Sequence, residues 1–297
     1  MSYNHTHTKT SSKSEKNLII TIFLNFIISF IEIIGGLLSG SLSLISDALH
    51  NFSDGIAIII TYIAMKLSKK PKTFKYTFGF KRAEIIAAII NSSTLIIISF
   101  FLIKEAVERI NHPSPITGSI MLIVATIGLI ANIVGTLLLK KGSKNSLNMR
   151  AAYFHLLSDA ISSLAVVIGA VFIIFFNIYW LDPLMTIVIS IYILKEAYII
   201  AKEAVEVLMM SVPDGIDIQE MKQEIESKAG VINLHHLHLW KLNDKDIHFE
   251  AHIEVNDSLI SSLMPLKIGI EEILKSKFDV NHTTIQFEVS QCENILV

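Results

Sequence analysis

A single cysteine in 297 residues, Cys292, excludes a disulfide framework and any Cys-x-x-Cys metal knuckle. Charge is scarce as well: Asp, Glu, Lys and Arg make up 18% of the chain, against about a quarter in a soluble domain. There is no basic stripe, and the polar C-terminal part is acidic, which argues against nucleic acid as a partner. No Walker A loop is present, so the chain cannot be driven by its own ATP hydrolysis. The absence of His-Glu-x-x-His disfavours an intramembrane protease of the zincin type. The first 16 residues are polar and lack the pattern of a cleavable signal peptide, so the first apolar segment is expected to stay in the mature protein.

What is abundant is apolar sequence: 52% of residues are hydrophobic and the mean hydropathy is +0.55. The formal charge of −2 hides two unlike parts, since residues 209–297 hold 15 acidic and 7 basic side chains while residues 1–208 carry an excess of cations. A membrane-spanning helix needs about 20 mostly apolar residues. Six stretches meet that length, at about 17–38, 42–66, 83–107, 116–139, 151–176 and 181–204. Cations gather in the 2–3 loop (Lys66, Lys69, Lys70, Lys72, Lys75, Lys81, Arg82) and the 4–5 loop (Lys140, Lys141, Lys144, Arg150). None lies between spans 1 and 2 or between spans 5 and 6; Arg109, at the end of span 3, is the main exception. The asymmetry predicts both termini on the cytoplasmic side. After Pro213 the pattern reads helix 217–229, strands 231–242 and 247–255 joined by a turn at Asn243–Asp246, helix 258–278 and strand 283–289. The expected organisation is a polar tail at 1–16, a six-helix α-helical transmembrane domain at 17–208 and a small cytoplasmic αββαβ domain, of the α+β class, at 209–297.

Ionisable groups at bilayer depth are costly, so each is a functional candidate. Span 2 carries Asp47, His50, Asn51 and Asp54, and span 5 carries His155 and Asp159 with Ser158 and Ser162 nearby. His50 and Asp54 stand at i and i+4, as do His155 and Asp159, so each pair shares one helix face. His50 lies about 12 Å along its span, and the span 5 pair falls at a comparable depth from the other direction. Two imidazoles and two carboxylates form a closed tetrahedral set suited to Zn²⁺ and tolerated by Co²⁺, Cd²⁺ or Ni²⁺. One such pair alone is equally well a structural hydrogen bond; two on antiparallel buried helices point to metal. Asp47 fits a supporting or proton-relay role behind the ligands, or helix packing. In span 1, Asn25, Ser29 and Glu32 share a face that either lines a wet path or bonds between helices, and Asn91 in span 3 and Asn132 in span 4 are read, like Asn25, as bonding between helices. Histidine must lose a proton to bind metal, so occupancy is coupled to protons.

These residues resemble the cation diffusion facilitator family of zinc transporters over essentially the whole chain. The resemblance is carried by Ser41-Leu-Ser-Leu-Ile-Ser-Asp-Ala-Leu-His-Asn-Phe-Ser-Asp54, by Tyr76-Thr-Phe-Gly-Phe-Lys-Arg-Ala-Glu84, by His155-Leu-Leu-Ser-Asp159 and by Trp180-Leu-Asp-Pro183. It implies that His50, Asp54, His155 and Asp159 are the transport ligands, and His at position 50 is similar to the zinc, cobalt and cadmium branch. The family's cytoplasmic domain is metallochaperone-like and dimerises. His235-His236-Leu237-His238-Leu239-Trp240 and His252 resemble its first two strands, where members bind regulatory zinc, and Glu288 stands where a carboxylate ligand sits. Strand alternation puts His236 and His238 on one face and His235 on the other. Gln286, and Met264-Pro265-Leu266, stand where some members offer histidine, which argues against a full two-metal site. Tyr76 and Phe80 replace ligands of a further site in the 2–3 loop. Arg82 resembles a residue that locks protomers by salt bridging, with a membrane-anchoring role as the plainer alternative. His5, His7 and Cys292 are candidate donors, against a plainer reading as tail and surface residues.

The expected protein is therefore no enzyme but a homodimeric secondary transporter in the cell (plasma or inner) membrane. It exports Zn²⁺, with Co²⁺ and Cd²⁺, from the cytoplasm in exchange for protons, and zinc also serves as regulator. Its partners are divalent metal ions, protons, the lipid bilayer and a second copy, with no nucleic acid. The alternatives are a membrane-anchored metal sensor and the same transporter acting on Mn²⁺ or Fe²⁺, which prefer more oxygen ligands.

Overall fold

The structure, a computed structural model, describes residues 8–140, 147–243 and 246–289. It forms two compact units, Met1–Tyr62 with Ile90–Ala201 and Ile63–Ile89 with Lys202–Val297. Six long helices appear among the described residues: α1 (Thr8–Ser39), α2 (Leu42–Ser68), α3 (Ala83–Asn111), α4 (Gly118–Leu139), α5 (Leu147–Phe176) and α6 (Leu181–Leu208). Helices α2 to α6 are long and apolar enough to cross a membrane, and α1 contributes the apolar stretch Phe23–Ser39. All but α4 begin or end beyond the apolar run that predicted them: α3 and α6 continue to Asn111 and Leu208, and α1 begins at Thr8. Apolar length counts what lipid accepts, whereas helical hydrogen bonding continues through polar flanks that water accepts.

In the first unit, α4 packs against both α1 and α5. Leu44, Leu95, Met121, Ala125, Val166, Ala170, Ile173 and Ile193 are buried together. Large apolar side chains such as Phe23, Phe30, Phe101 and Phe175 remain exposed on the outside, as expected of a surface solvated by lipid. Gly40 turns the chain between α1 and α2 with φ of 74°, a left-handed conformation that suits glycine. The backbone N–H groups that open α2 have no partner within their own helix. Asp182, in the first turn of α6, supplies one. Its fully buried carboxylate accepts from Leu42 N at 2.8 Å, Ser43 N at 3.2 Å, and the Ser41 and Ser43 hydroxyls at 2.6 Å each. A negative charge there also complements the dipole of α2. The Arg109 guanidinium donates to the Gly40 carbonyl at the same turn.

In the second unit, α7 (Ile218–Glu226) is capped by Asp217, whose carboxylate accepts from Gln219 N and Glu220 N. It is followed by β1 (Asn233–Lys241), β2 (Ile247–Glu254), α8 (Ile260–Phe278) and β3 (His282–Glu288), the expected αββαβ order. The sheet order is β1-β2-β3, with β1 antiparallel and β3 parallel to β2. A parallel neighbour needs a long crossover, which α8 provides. Met221, Ile225, Leu234, Phe249, Ile253, Ile270 and Leu274 fill the core under the sheet. Of the expected turn, Asn243 and Asp246 are described: Asn243 Oδ1 accepts from Asp246 N at 2.7 Å. Lys81 Nζ lies 2.5 Å from Asp246 Oδ2, and this hydrogen bond holds the Asp246 carboxyl below its usual value. Beside it, His248 stacks on Trp240 at 5.5 Å and lies 4.4 Å from His282, ring to ring.

Two outcomes are expected. Replacing Asp182 by Ala strands several buried donors and should lower stability by about 2–3 kcal/mol. Thermal unfolding in detergent should show Asp182→Ala losing more than Asp182→Asn. For His248, burial first and His282 second lower the pKa below the ordinary 6.5. The folded chain then binds fewer protons there than the unfolded one. That contribution to stability is complete above about pH 6.5 and declines as pH falls through this value toward the lowered one. An NMR titration of the His248 ring should give a midpoint under 6.5 that rises in His282→Ala; a midpoint at or above 6.5 contradicts the buried stack.

Candidate metal centre

Helices α2 and α5 bring the two His-x-x-x-Asp pairs face to face. His50 Nε2 lies 3.5 Å from Asp54 Oδ2 and 3.8 Å from Asp159 Oδ1. His155 Nε2 lies 3.2 Å from Asp54 Oδ2 and 3.7 Å from Asp159 Oδ2. Four contacts thus close a ring of alternating imidazole and carboxylate, and the two imidazoles meet edge to face with centroids 6.1 Å apart. Zinc bonds of about 2.0–2.1 Å set tetrahedral ligand atoms about 3.3 Å from one another. The four imidazole–carboxylate separations, 3.2 to 3.8 Å, lie at or somewhat above that value.

Burial is uneven. The side chains of Asp159, His50 and Asp54 are 2%, 14% and 17% exposed, whereas that of His155 is 45% exposed. His155 is thus the most exposed member of the ring. His50 Nδ1, Asp54 Oδ2 and Asp159 Oδ2 are buried without a hydrogen bond. Buried donors and acceptors are rarely left so unless something else satisfies them, and a divalent cation fits these donor types.

Asp47 shares the α2 face but does not enter the ring. Its two carboxylate oxygens accept from the Ser162 and Ser163 hydroxyls of α5, each at 2.8 Å, and Asn132 of α4 donates to Ser163 Oγ at 3.1 Å. It fastens α2 to α5 one turn before His50. On α1, the Ser29 hydroxyl donates to the Asn25 carbonyl at 2.7 Å, and Glu32 is wholly buried. Ser53 Oγ and Asn91 Oδ1 stand 3.5 Å apart, so Asn91 bonds between helices. Asp182, which anchors the start of α2, appears in the sequence only inside a family-like motif. The signal was an acidic side chain opening an apolar span with no cation nearby.

A second group lies in the second unit. One ligand atom each from His235, His252 and Glu288 falls within 4.8 Å of the others. His235 Nε2 lies 3.2 Å and His252 Nδ1 2.9 Å from the Glu288 carboxylate. The expected alternation along β1 does not hold. The register slips between His235 and His238, and His236 adopts φ of 51°. This bulge swings His235 toward Glu288 and also brings His236 within 4.7 Å of both His252 and His238, ring to ring. His238 stays outside the three-residue group. Gln286 Nε2 donates to Glu288 Oε1 at 2.7 Å, so the residue standing where histidine was sought orients the carboxylate instead. Tyr76 and Phe80 pack ring on ring, 4.6 Å between centroids. His5, His7 and Cys292 lie outside the described residues.

Comparison with known proteins follows the same division. Residues 18–209 match the family description "Cation efflux transmembrane domain", and residues 213–290 match "Cation efflux protein, cytoplasmic domain". A cadmium, cobalt and zinc/H(+)-K(+) antiporter of Bacillus velezensis is 38% identical, covering 98% of this chain and 93% of that one. The metal cation efflux system protein CzcD of Cupriavidus metallidurans is 34% identical, covering 99% of this chain and 92% of its own. The zinc transporter ZitB of Escherichia coli is 32% identical, with 98% and 94% covered. Among solved structures, a metal-bound C-terminal domain of the CzcD transporter is 30% identical and covers 25% of this chain and 99% of its own, with a TM-score of 0.23. Two adjoining family matches, with relatives above 30% identity along nearly the full length, establish that this multi-pass membrane chain belongs to the cation efflux family, the cation diffusion facilitators.

Proposed function

We propose that the chain is a proton-coupled antiporter that exports Zn²⁺, with Co²⁺ and Cd²⁺, from the cytoplasm across the cell membrane, with both termini cytoplasmic. The observation that carries this reading is the four-contact ring of His50, Asp54, His155 and Asp159. Two nitrogens and two carboxylate oxygens suit zinc better than Mn²⁺ or Fe²⁺, which prefer more oxygen. The charge also balances. A divalent ion on two carboxylates is neutral, and the emptied site regains neutrality when protons take the ion's place. Rocking of α2 and α5 against the other helices would open the ring to each side in turn, and no covalent step is needed.

Residues 17–208 form the transport domain in this reading, and residues 209–297 a metal-sensing and dimerisation domain. His235, His252 and Glu288 hold regulatory zinc there, and His236 stands close enough to join them. The relatives' names support metals of this class, and the dimerising cytoplasmic domain of the family supports a homodimer. Arg82, whose Nε and Nη2 are buried without a hydrogen bond in the single chain, is the residue offered for the contact with the second copy.

In proteoliposomes with an imposed pH gradient, the parent chain should move zinc, and Asp159→Ala should reduce the rate at least about tenfold. Equal flux in both would mean the ligands are wrongly assigned; no flux in the parent would favour the membrane-anchored sensor. For the second group, His252→Gln in the full-length chain should lower bound zinc at saturation by one ion per protomer, read by elemental analysis, while flux through the membrane site persists.

A further inference from the structure

Four carboxylates lie at bilayer depth in the first unit: Glu32, Asp47, Asp54 and Asp159. Residues 17–65, 110–139 and 151–194 contain no lysine or arginine, so no fixed cation within these spans answers them. Asp54 and Asp159 belong to the ring with the histidines, and Asp47 is held by two serine hydroxyls. Glu32 has neither kind of support. It is 0% exposed, and neither carboxylate oxygen makes a hydrogen bond. Asn51 of α2 is also 0% exposed, and its amide oxygen and nitrogen are likewise without hydrogen bonds. The two side chains are neighbours, and Asp47 and Asp159 are the titratable groups facing Glu32 from α2 and α5. From α4 the carboxylate meets Gly128, where a Cβ would collide with Glu32 Oε1. Along α1, Asn25 Oδ1 is a further buried oxygen without a hydrogen bond, on the helix face that also bears Ser29 and Glu32. Glu32 makes no ion pair or hydrogen bond with the four metal ligands among the described residues.

An isolated ionised carboxylate in an apolar interior costs several kcal/mol, and buried polar atoms without partners call for a reason, a bound ion among them. We propose that Glu32, with Asn51 beside it, is a second cation site that takes a monovalent cation, a proton or an alkali ion, as the counter-ion of metal export. This rests on the transport reading and adds a distinct residue to it. A charge on Glu32 and a charge in the ring act on the same low-dielectric interior, where Asp47 and Asp159 both face Glu32. Loading one weakens the other, and by linkage the effect is reciprocal. Metal leaving the ring then favours cation entry at Glu32, which is the requirement for exchange. Gly128 keeps the site open, because any larger residue would occupy the volume of the carboxylate.

The test compares the parent with Glu32→Gln in proteoliposomes of the full-length chain. Three rates are read: zinc–zinc exchange without gradients, net zinc flux driven by a pH gradient alone, and net flux driven by a potassium gradient alone. Glu32→Gln should keep exchange within about twofold and lose at least tenfold of the driven flux. Loss in the pH arm identifies the counter-ion at Glu32 as a proton, and loss in the potassium arm as an alkali ion. Glu32→Asp, which keeps a carboxylate, should recover more than half of the driven rate. Driven flux within twofold of the parent in both arms overturns the proposal. So does parallel loss of exchange and driven flux without recovery in Glu32→Asp, which would make Glu32 a structural residue. Absence of zinc exchange in the parent would overturn the transport reading and this proposal with it.

Discussion

Negative charge held at bilayer depth without fixed positive charge is the condition on which this structure turns. Apart from Glu32, the buried carboxylates of the helical unit are each answered by something: a helix N-terminus for Asp182, serine hydroxyls for Asp47, imidazoles for Asp54 and Asp159. None of these answers is a lysine or arginine. An interior built this way is stable to the extent that donors are exact in place, and it leaves room for mobile cations where they are not. Attraction for a divalent ion thus comes from the same shortage of fixed counter-charge that makes the helices fit for lipid.

Much of this was legible in the sequence, and the part that was not is instructive. Long apolar runs located the spans because lipid tolerates few polar residues over about 20 positions. Their ends were not legible, since helices such as α3 and α6 continue into polar flanks. The paired motifs of α2 and α5 were readable because i and i+4 spacing alone settles a shared face. Their meeting was an inference from depth, and the coordinates supply the distances. Asp182 could not be paired from sequence, because its partners lie 139 to 141 residues away. Nothing in the sequence marks a histidine that takes a left-handed backbone conformation, so simple alternation placed His235 on the wrong side of β1.

The two candidate metal groups differ in the way their chemistry requires. The membrane ring draws two residues from each of two helices, so relative motion of the helices changes both cross-contacts, His50–Asp159 and His155–Asp54, at once. The group of His235, His252 and Glu288 draws one residue from each of three hydrogen-bonded strands, and the sheet holds them in fixed register. Ligands on separate helices can part; ligands on one sheet cannot. Gln286 makes the second group more rigid still, as it ties one Glu288 oxygen in place.

The fastening of the first turn of α2 by Asp182 makes that helix a lever clamped at one end. Any tilt displaces side chains in proportion to their distance from the clamp. With a rise of about 1.5 Å per residue, His50 sits about 12 Å along the arm and Asp54 about 18 Å. A swing about that clamp would carry Asp54 half as far again as His50, so the ring would open unevenly, from its Asp54 edge.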